Sequence, residues 1–568
     1  MPAIIAVSFS GLELGAEERL VVKGERGKRG GRLVASLRSD PKTFNPLLVR
    51  DSASRSIVEL LMSDLVHINR LTHLTEPSLA KSWEVSDDGL RYTLELRKGL
   101  CFSDGHPLDA DDVVFTFTAY LDETLAAPQR DLLVIGGKPI EVRKLSSHRV
   151  ELEIAEPYGA GERLFDLIAI LPRHLLETAY RQGNLAGVWG PDASPGAIAG
   201  LGPFRLKEYI SGQSLLLERN PCYWKTDEAG ERLPYFDEIL FLISSGEPAD
   251  VLRFRSGEIH LVSGLGAQSY DAISKENQDG RYQLHDLGPG LEYTLLFFNL
   301  NDLSGPGHAE IRRKQTWFRS TTFRRAISSA IDRASLVDLV YQGRAAPLAS
   351  HVSPGNKLWR NPALSAPAYD VSKSRELLRS DGFRWSESGT LLDAGGDSVS
   401  FSILVGAGNP ARAMIATLLQ DDLKKIGIEV QVVTVDFTSL LDRIFGSFDY
   451  EASILALGSS DVDPTAELAT LLTGGEMHVW RLGEGPAATQ WEAEMDRLML
   501  RQMTSTDSSE RRLLYNRVQE IVASELPIVP LVSPHVLVGA DRRIGNFRPA
   551  VLAPYLLWNV EQLFFRTK

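Results

Sequence analysis

Two hydrophobic periods alternate along this chain, and each predicts its own element. Between residues 92 and 97, Tyr92, Leu94 and Leu96 alternate with Thr93, Glu95 and Arg97, the period of a strand with one buried face. Turn chemistry brackets it: Asp87, Asp88 and Gly89 before, Ser103, Asp104 and Gly105 after. Asp109 then reads as a helix N-cap ahead of Val113, Val114 and Phe117. Residues 31–37 read as a first strand, 38–47 as a loop, and 56–69 as a helix carrying Ile57, Leu60, Leu61 and Leu65. A helical patch lies at 173–181, and Phe323, Ala326, Ile327, Ala330 and Ile331 form one helical face. Asp332 is placed to cap the next helix, which stops at Gly343.

The C-terminal half reads as strand, helix, strand. Val399, Phe401, Ile403 and Val405 alternate; Ile415, Leu418, Leu419, Leu423 and Ile426 form a stripe ended by Gly427; Ile428, Val430 and Val432 alternate again. That order predicts a parallel pair with a right-handed crossover. Asp507 and Glu510 have capping-box spacing before Leu514, Val518, Ile521 and Val522; Pro527 ends that helix, and 528–538 return as a strand.

Composition narrows the class. The chain has 568 residues, three or four units at roughly 150 residues each. Hydrophobic content of 43% and charged content of 24% suit a soluble protein with ample core. A formal charge of −13 argues against nucleic acid, which rewards basic stripes. The one basic run, at 24–32, reads as a flexible leader. Cys101 and Cys222 pair only if the fold brings them together, and two free, partly buried thiols are the expectation. No window is long and apolar enough for a membrane helix. Residues 1–14 hold a short apolar run with no preceding Lys or Arg and no cysteine, so the expectation is a start placed downstream of the true export signal.

Catalytic patterns are missing. There is no Gly-x-Ser-x-Gly elbow and no phosphate loop ending in Gly-Lys-Ser/Thr. The eleven histidines make no zinc motif; His67 and His73 lie six apart, a spacing that matches no common ligand pair. Gly406 and Gly408 follow a strand, where a bare turn explains them.

Residues 79–120 carry the most specific signal. Ala80-x-Ser82-Trp83, Ser86-Asp87-Asp88-Gly89, Leu96-Arg97-x-Gly99, Phe102-x-Asp104-Gly105-x-Pro107 and Ala110-x-Asp112-Val113 occur in order. They resemble the signature of the extracellular solute-binding proteins of family 5, the dipeptide-, oligopeptide- and nickel-binding components of ABC importers. The resemblance continues through Gly200-x-Gly202-Pro203-Phe204, Asn220-Pro221-x-Tyr223-Trp224 and the helix ending Ala330-Ile331-Asp332-Arg333. It implies an α/β class II periplasmic-binding-protein fold, with two lobes and an inserted subdomain. Lobe 1 would take residues 30–65, 196–289 and 528–568, the insert 66–195, lobe 2 290–527, and residues 1–29 a leader or export remnant. It further implies capture of a peptide or similar small solute by hinge closure and delivery to a membrane permease. A monomer in the periplasm or cell envelope, with no cofactor, no metal and no nucleic acid, completes that reading. An intracellular sensor of the same fold and a secreted hydrolase are the rivals.

The resemblance also points to site residues. The polar cluster at 458–467 includes Ser459, Ser460, Asp461 and Asp463, where a family carboxylate receives the ammonium of a bound peptide. Ser460 stands where that acid aligns, and Leu457 where the family often has Trp. Asp461 and Asp463 are therefore either anchors or caps of the following helix. Thr43 and Phe44 in the first loop, Gly264 and Tyr270 after the Gly257-Glu258-Ile259 strand, Tyr293 at the crossover and Tyr555 near the C-terminus complete the candidate set.

Overall fold

The computed structural model describes residues 18–566 except Leu167, Gly305, Ser460 and Glu484. Two large hydrophobic cores organise it. The first joins Leu33, Leu217 and Phe236 to Tyr92, Phe102 and Phe165, so the segment carrying the signature shares its core with the N-terminal body. The second gathers Leu295, Phe323, Ile403, Ile454 and Val532.

Around the first core, the strands Phe204–Ile210, Ser214–Arg219, Glu238–Ile243 and Arg32–Leu37 form one sheet, the last two running parallel. Beside it, Ala80–Val85, Arg91–Leu96, Arg149–Glu153 and Glu141–Ser146 make an antiparallel sheet. Tyr92, Leu94 and Leu96 face inward as their alternation requires. Asp109 caps the helix Ala110–Leu121 in a full capping box with Asp112.

The second core is covered by Ser400–Gly406, Glu429–Val435, Ala452–Gly458 and Glu292–Phe298. The first two are parallel and joined through the helix Pro410–Lys424, the crossover read from the sequence. Two chain segments pass between the bodies. The strand Ile528–Asp541 pairs Glu292–Phe298 at its start and Tyr282–Pro289 and Leu261–Val262 at its end. Gly290 lies in the second crossing, where a Cβ would meet Val536 Cγ2 at 2.9 Å. These two strands are the structural basis for a hinge.

Four expectations change. The helix read at 56–69 is Ser52–Leu61, because Asp51 accepts Ser54 N and starts it earlier; the chain then extends into Val66–Ile68. Asp507 caps Ser508–Glu525, but Glu510 turns to Arg501 and Ser505, so the box is not closed. The basic run at 24–32 is no free leader: Leu20–Val22 pairs Lys225–Asp227, and Gly27 lies against Tyr235 and Phe564, where a Cβ would come within 2.6 Å. Residues 1–17, with most of the proposed export remnant, lie outside the described residues.

The fourth change concerns the cysteines, which are joined as a disulfide with Cα atoms 5.7 Å apart. Asn220 accepts Cys222 N at 2.8 Å and donates to Gly202 O at 2.8 Å. This holds the Asn-Pro turn against Gly202, and Gly200 O nearby accepts Ser103 N, two residues from Cys101. A sequence separation of 121 hid that proximity.

Candidate functional site: the face between the two bodies

The strands Glu292–Phe298 and Ala452–Gly458 run antiparallel, with Glu292 opposite Gly458 and Tyr293 opposite Leu457. The polar loop after Gly458 therefore starts beside the crossover and faces the first body. Its two aspartates are both engaged within the protein. Asp463 caps the short helix Pro464–Glu467 through Thr465 N at 3.0 Å, and receives Arg511 Nη2 at 2.7 Å and Nη1 at 3.0 Å. Both side chains of that pair are about nineteen-twentieths buried. Asp461 Oδ2 receives Arg163 Nε from the signature-bearing segment at 2.7 Å, and Arg163 Nη2 reaches Oδ1. Ser459 Oγ donates to Asp461 O at 2.6 Å, bracing the loop. Ser460 lies outside the described residues.

Tyr293 is 2% exposed and donates to Glu467 Oε2 at 3.0 Å. Burial pushes the Glu467 carboxyl up, opposed by this hydrogen bond, and holds the Tyr293 hydroxyl far above its usual range. Tyr293 thus supports the loop from below. Phe44 is fully buried, edge-on to Tyr209 with centroids 5.7 Å apart, so it offers a solute no surface. Thr43 is buried too, and its Oγ1 accepts Asn45 N at 3.0 Å. Tyr270 lies under the Arg344 guanidinium at 4.6 Å, and exposed Gly264, at φ +61, packs against Arg38. Tyr270 belongs to a separate contact: Arg344 bridges Asp271 at 2.5 Å and Asp286 at 2.8 Å.

Of the named candidates, Tyr555 retains the broadest aromatic surface, at 39% exposed. Glu292, which sequence reasoning passed over, shares its surroundings. Its side chain is open to solvent, yet burial pushes its carboxyl up, opposed by Arg412. A group that water reaches but protein largely surrounds sits in a recess. Burial, and with it the charge of Glu292, raises the hydroxyls of Tyr555 in the first body and Tyr341 in the second. Its carboxylate has no hydrogen-bond or ion-pair partner among the described residues. The available signal was a lone acid heading the apolar run at 293–298.

What this arrangement can do is bind. It offers one carboxylate without a hydrogen-bond or ion-pair partner among the described residues, one guanidinium and two phenols. Comparison with known proteins gives the same class. Residues 75–478 match the model of bacterial extracellular solute-binding proteins, family 5 Middle. A probable ABC transporter-binding protein of Deinococcus radiodurans is 25% identical over 90% of this chain and 89% of its own. The oligopeptide-binding protein AppA of Bacillus subtilis is 26% identical over 94% and 92%. The AppA structure, in complex with a nonapeptide, superposes with a TM-score of 0.73, covering 95% of this chain and all of that one at 24% identity. With the fold, the signature and the family match in agreement, the chain belongs to family 5 of the bacterial extracellular solute-binding proteins, the capture components of ABC importers.

Proposed function

We propose that the protein captures a peptide between its two bodies, with Glu292 receiving the cationic end and Arg412 facing the anionic end. The observation that carries this reading is the unpartnered Glu292 carboxylate in a recess shared with Arg412, Tyr341 and Tyr555. Asp461 and Asp463 already pair with Arg163 and Arg511, which favours Glu292 over them for that role. The naming of AppA as an oligopeptide-binding protein supports a peptide as solute. Closure follows because a ligand touching both bodies binds the closed state better than the open one.

The wider reading follows from the same features. The protein acts as a monomer in the periplasm or cell envelope, and the disulfide suits that oxidising compartment. It hands its solute to a membrane permease without turning it over. Lobe 1 spans 30–65, 196–289 and 528–568, with 66–195 inserted and 290–527 as lobe 2.

Titration calorimetry with co-purified or synthetic peptides tests the assignment. Glu292→Gln should weaken a peptide with a free amino terminus by about 2–5 kcal/mol, because the ammonium then lies desolvated and unpaired. N-acetylation should weaken binding to the native protein and make little further difference to the variant. Equal losses on acetylation in both proteins would remove Glu292 from the role.

A further inference from the structure

A second recess lies away from the face between the bodies, in the first body alone. It is a cavity of about 150 Å³ between the helix Ser52–Leu61, the signature-bearing segment and the C-terminal stretch around Trp558, and no residue of the second body lines it. At about 10–15 Å³ of such space per water, it has room for an ion together with several waters.

Asp64 and His67 line this cavity, and Asp166 stands beside them, so that three ligand-type atoms come together at its edge. Asp64 Oδ2 lies 3.0 Å from His67 Nδ1, which in turn lies 3.5 Å from Asp166 Oδ1, and all three fall within 4.8 Å of one another. Ligands held tetrahedrally at about 2.0–2.1 Å from a metal stand about 3.3 Å apart, so this spacing matches a shared centre. A proton on Nδ1 points at one acceptor only, leaving the second carboxylate unserved by the imidazole. The ligands are oriented from behind. Ile68 N donates to Asp166 Oδ1 at 3.0 Å, and Arg70 holds Asp166 Oδ2 at 3.3 Å. Such outer contacts orient metal-binding carboxylates.

Two further observations point to an occupant. The Glu59 carboxylate lines the same cavity and has no hydrogen-bond or ion-pair partner among the described residues. Arg70, 4% exposed, also lines it, and its Nε is buried without an acceptor. Water or an anion completing an ion's shell would supply that acceptor. Charge agrees: three carboxylates, Glu59, Asp64 and Asp166, face a single buried guanidinium, Arg70. The neighbouring Lys225 and Glu561 cancel each other at 3.0 Å, and Arg55 stands exposed at the rim. With a neutral imidazole the cluster carries −2, which a divalent cation balances.

We propose that Asp64, His67 and Asp166 bind one divalent first-row transition cation such as Zn²⁺, with Glu59 available as a further ligand. The ion ties the start of lobe 1 to the signature-bearing segment, because Asp64 and His67 follow the helix Ser52–Leu61 while Asp166 lies about a hundred residues on. Its place outside the solute face makes it a structural ion and not the cargo.

The test uses the whole protein, stripped with chelator and titrated with Zn²⁺ while metal content, calorimetry and thermal unfolding are followed. One ion per chain and a raised melting temperature are expected. His67→Gln and Asp64→Asn should each lower Zn²⁺ affinity at least 30-fold, and Glu59→Gln about 10-fold. Circular dichroism and an unchanged peptide affinity at the Glu292 recess confirm that each variant is folded. Should His67→Gln misfold, Glu59→Gln with the stripped native protein still decides the matter. No stoichiometric uptake, or uptake unaltered in the folded variants, overturns the proposal; the latter result assigns the ion to other surface groups.

Discussion

Arg163 Nε donates to Asp461 Oδ2 at 2.7 Å, linking the signature-bearing segment to the loop after the strand Ala452–Gly458. The same guanidinium donates from Nη1 to His73 O at 2.7 Å, so one arginine bridges both bodies. Nearby, Arg511 reaches back from the second body to Gly159 O at 2.6 Å. Gly159 has room for no side chain there, since a Cβ would lie 2.3 Å from Ser505 O. The bodies are therefore latched on this side by charge and close backbone approach, independent of any solute.

Removing the latch should shift the hinge. Arg163→Ala leaves Asp461 half-buried without its partner, at a cost of about 2–3 kcal/mol to the closed arrangement. Small-angle scattering of the solute-free variant should show a larger radius than the native protein, with peptide affinity lowered roughly 30-fold. An unchanged radius and affinity would mean that the pair does not bear on closure.

Asp463 should behave as a structural residue. Its pairing with Arg511 is almost wholly buried, and breaking such a pair typically costs about 3–5 kcal/mol by stranding the other charge. Asp463→Asn should therefore lower the urea midpoint sharply while the surviving folded fraction binds peptide nearly as before. Lost affinity at native stability would restore Asp463 as a solute anchor.

Reduction of Cys101–Cys222 should loosen the first body. The bond closes a loop spanning a separation of 121 residues, and bonds of this kind contribute about 2–4 kcal/mol. Thermal unfolding with and without reductant should show a downward shift, and the unreduced protein should release no thiol to a thiol reagent. Two titratable thiols in freshly purified, unreduced protein would contradict the pairing.

Stability should carry a pH signature from Glu59. Burial pushes its carboxyl up to about 6, against 4.5 for the free group. A raised carboxyl favours the folded state only while protonated. The benefit is whole below pH about 4.5 and is lost as pH rises through about 6, a change of about 2 kcal/mol at most. Urea titrations of chelator-stripped protein between these limits should show this decline, and Glu59→Gln should flatten it. An equal decline in the variant would assign it to other groups.

Local order was legible from the sequence because it is written in short periods. Tyr92, Leu94 and Leu96 could only form a half-buried strand, Asp109 and Asp332 could only start helices cleanly, and Ser400–Gly406 through Glu429–Val435 announced a parallel crossover. The ordered motifs between Ala80 and Val113 likewise identified the family. Side-chain partnership was not legible, because it depends on residues far apart in the chain. Asp461 and Asp463 read as anchors or caps; Asp463 is the cap, and their arginine partners Arg163 and Arg511 lie 298 and 48 residues away. Cys101 and Cys222 looked unpaired until the Asn220 turn folded back. Phe44 and Tyr293 were visible as aromatics near the right strands, yet which face each presents is decided by what packs above it. The sequence by itself determined the scaffold and the class of protein, since periodicity and turn chemistry act over a few residues. Only the tertiary structure decided which charges remain unpaired, because neutralisation and burial are properties of three-dimensional neighbours: Asp461 and Asp463 meet arginines, and Glu292 does not.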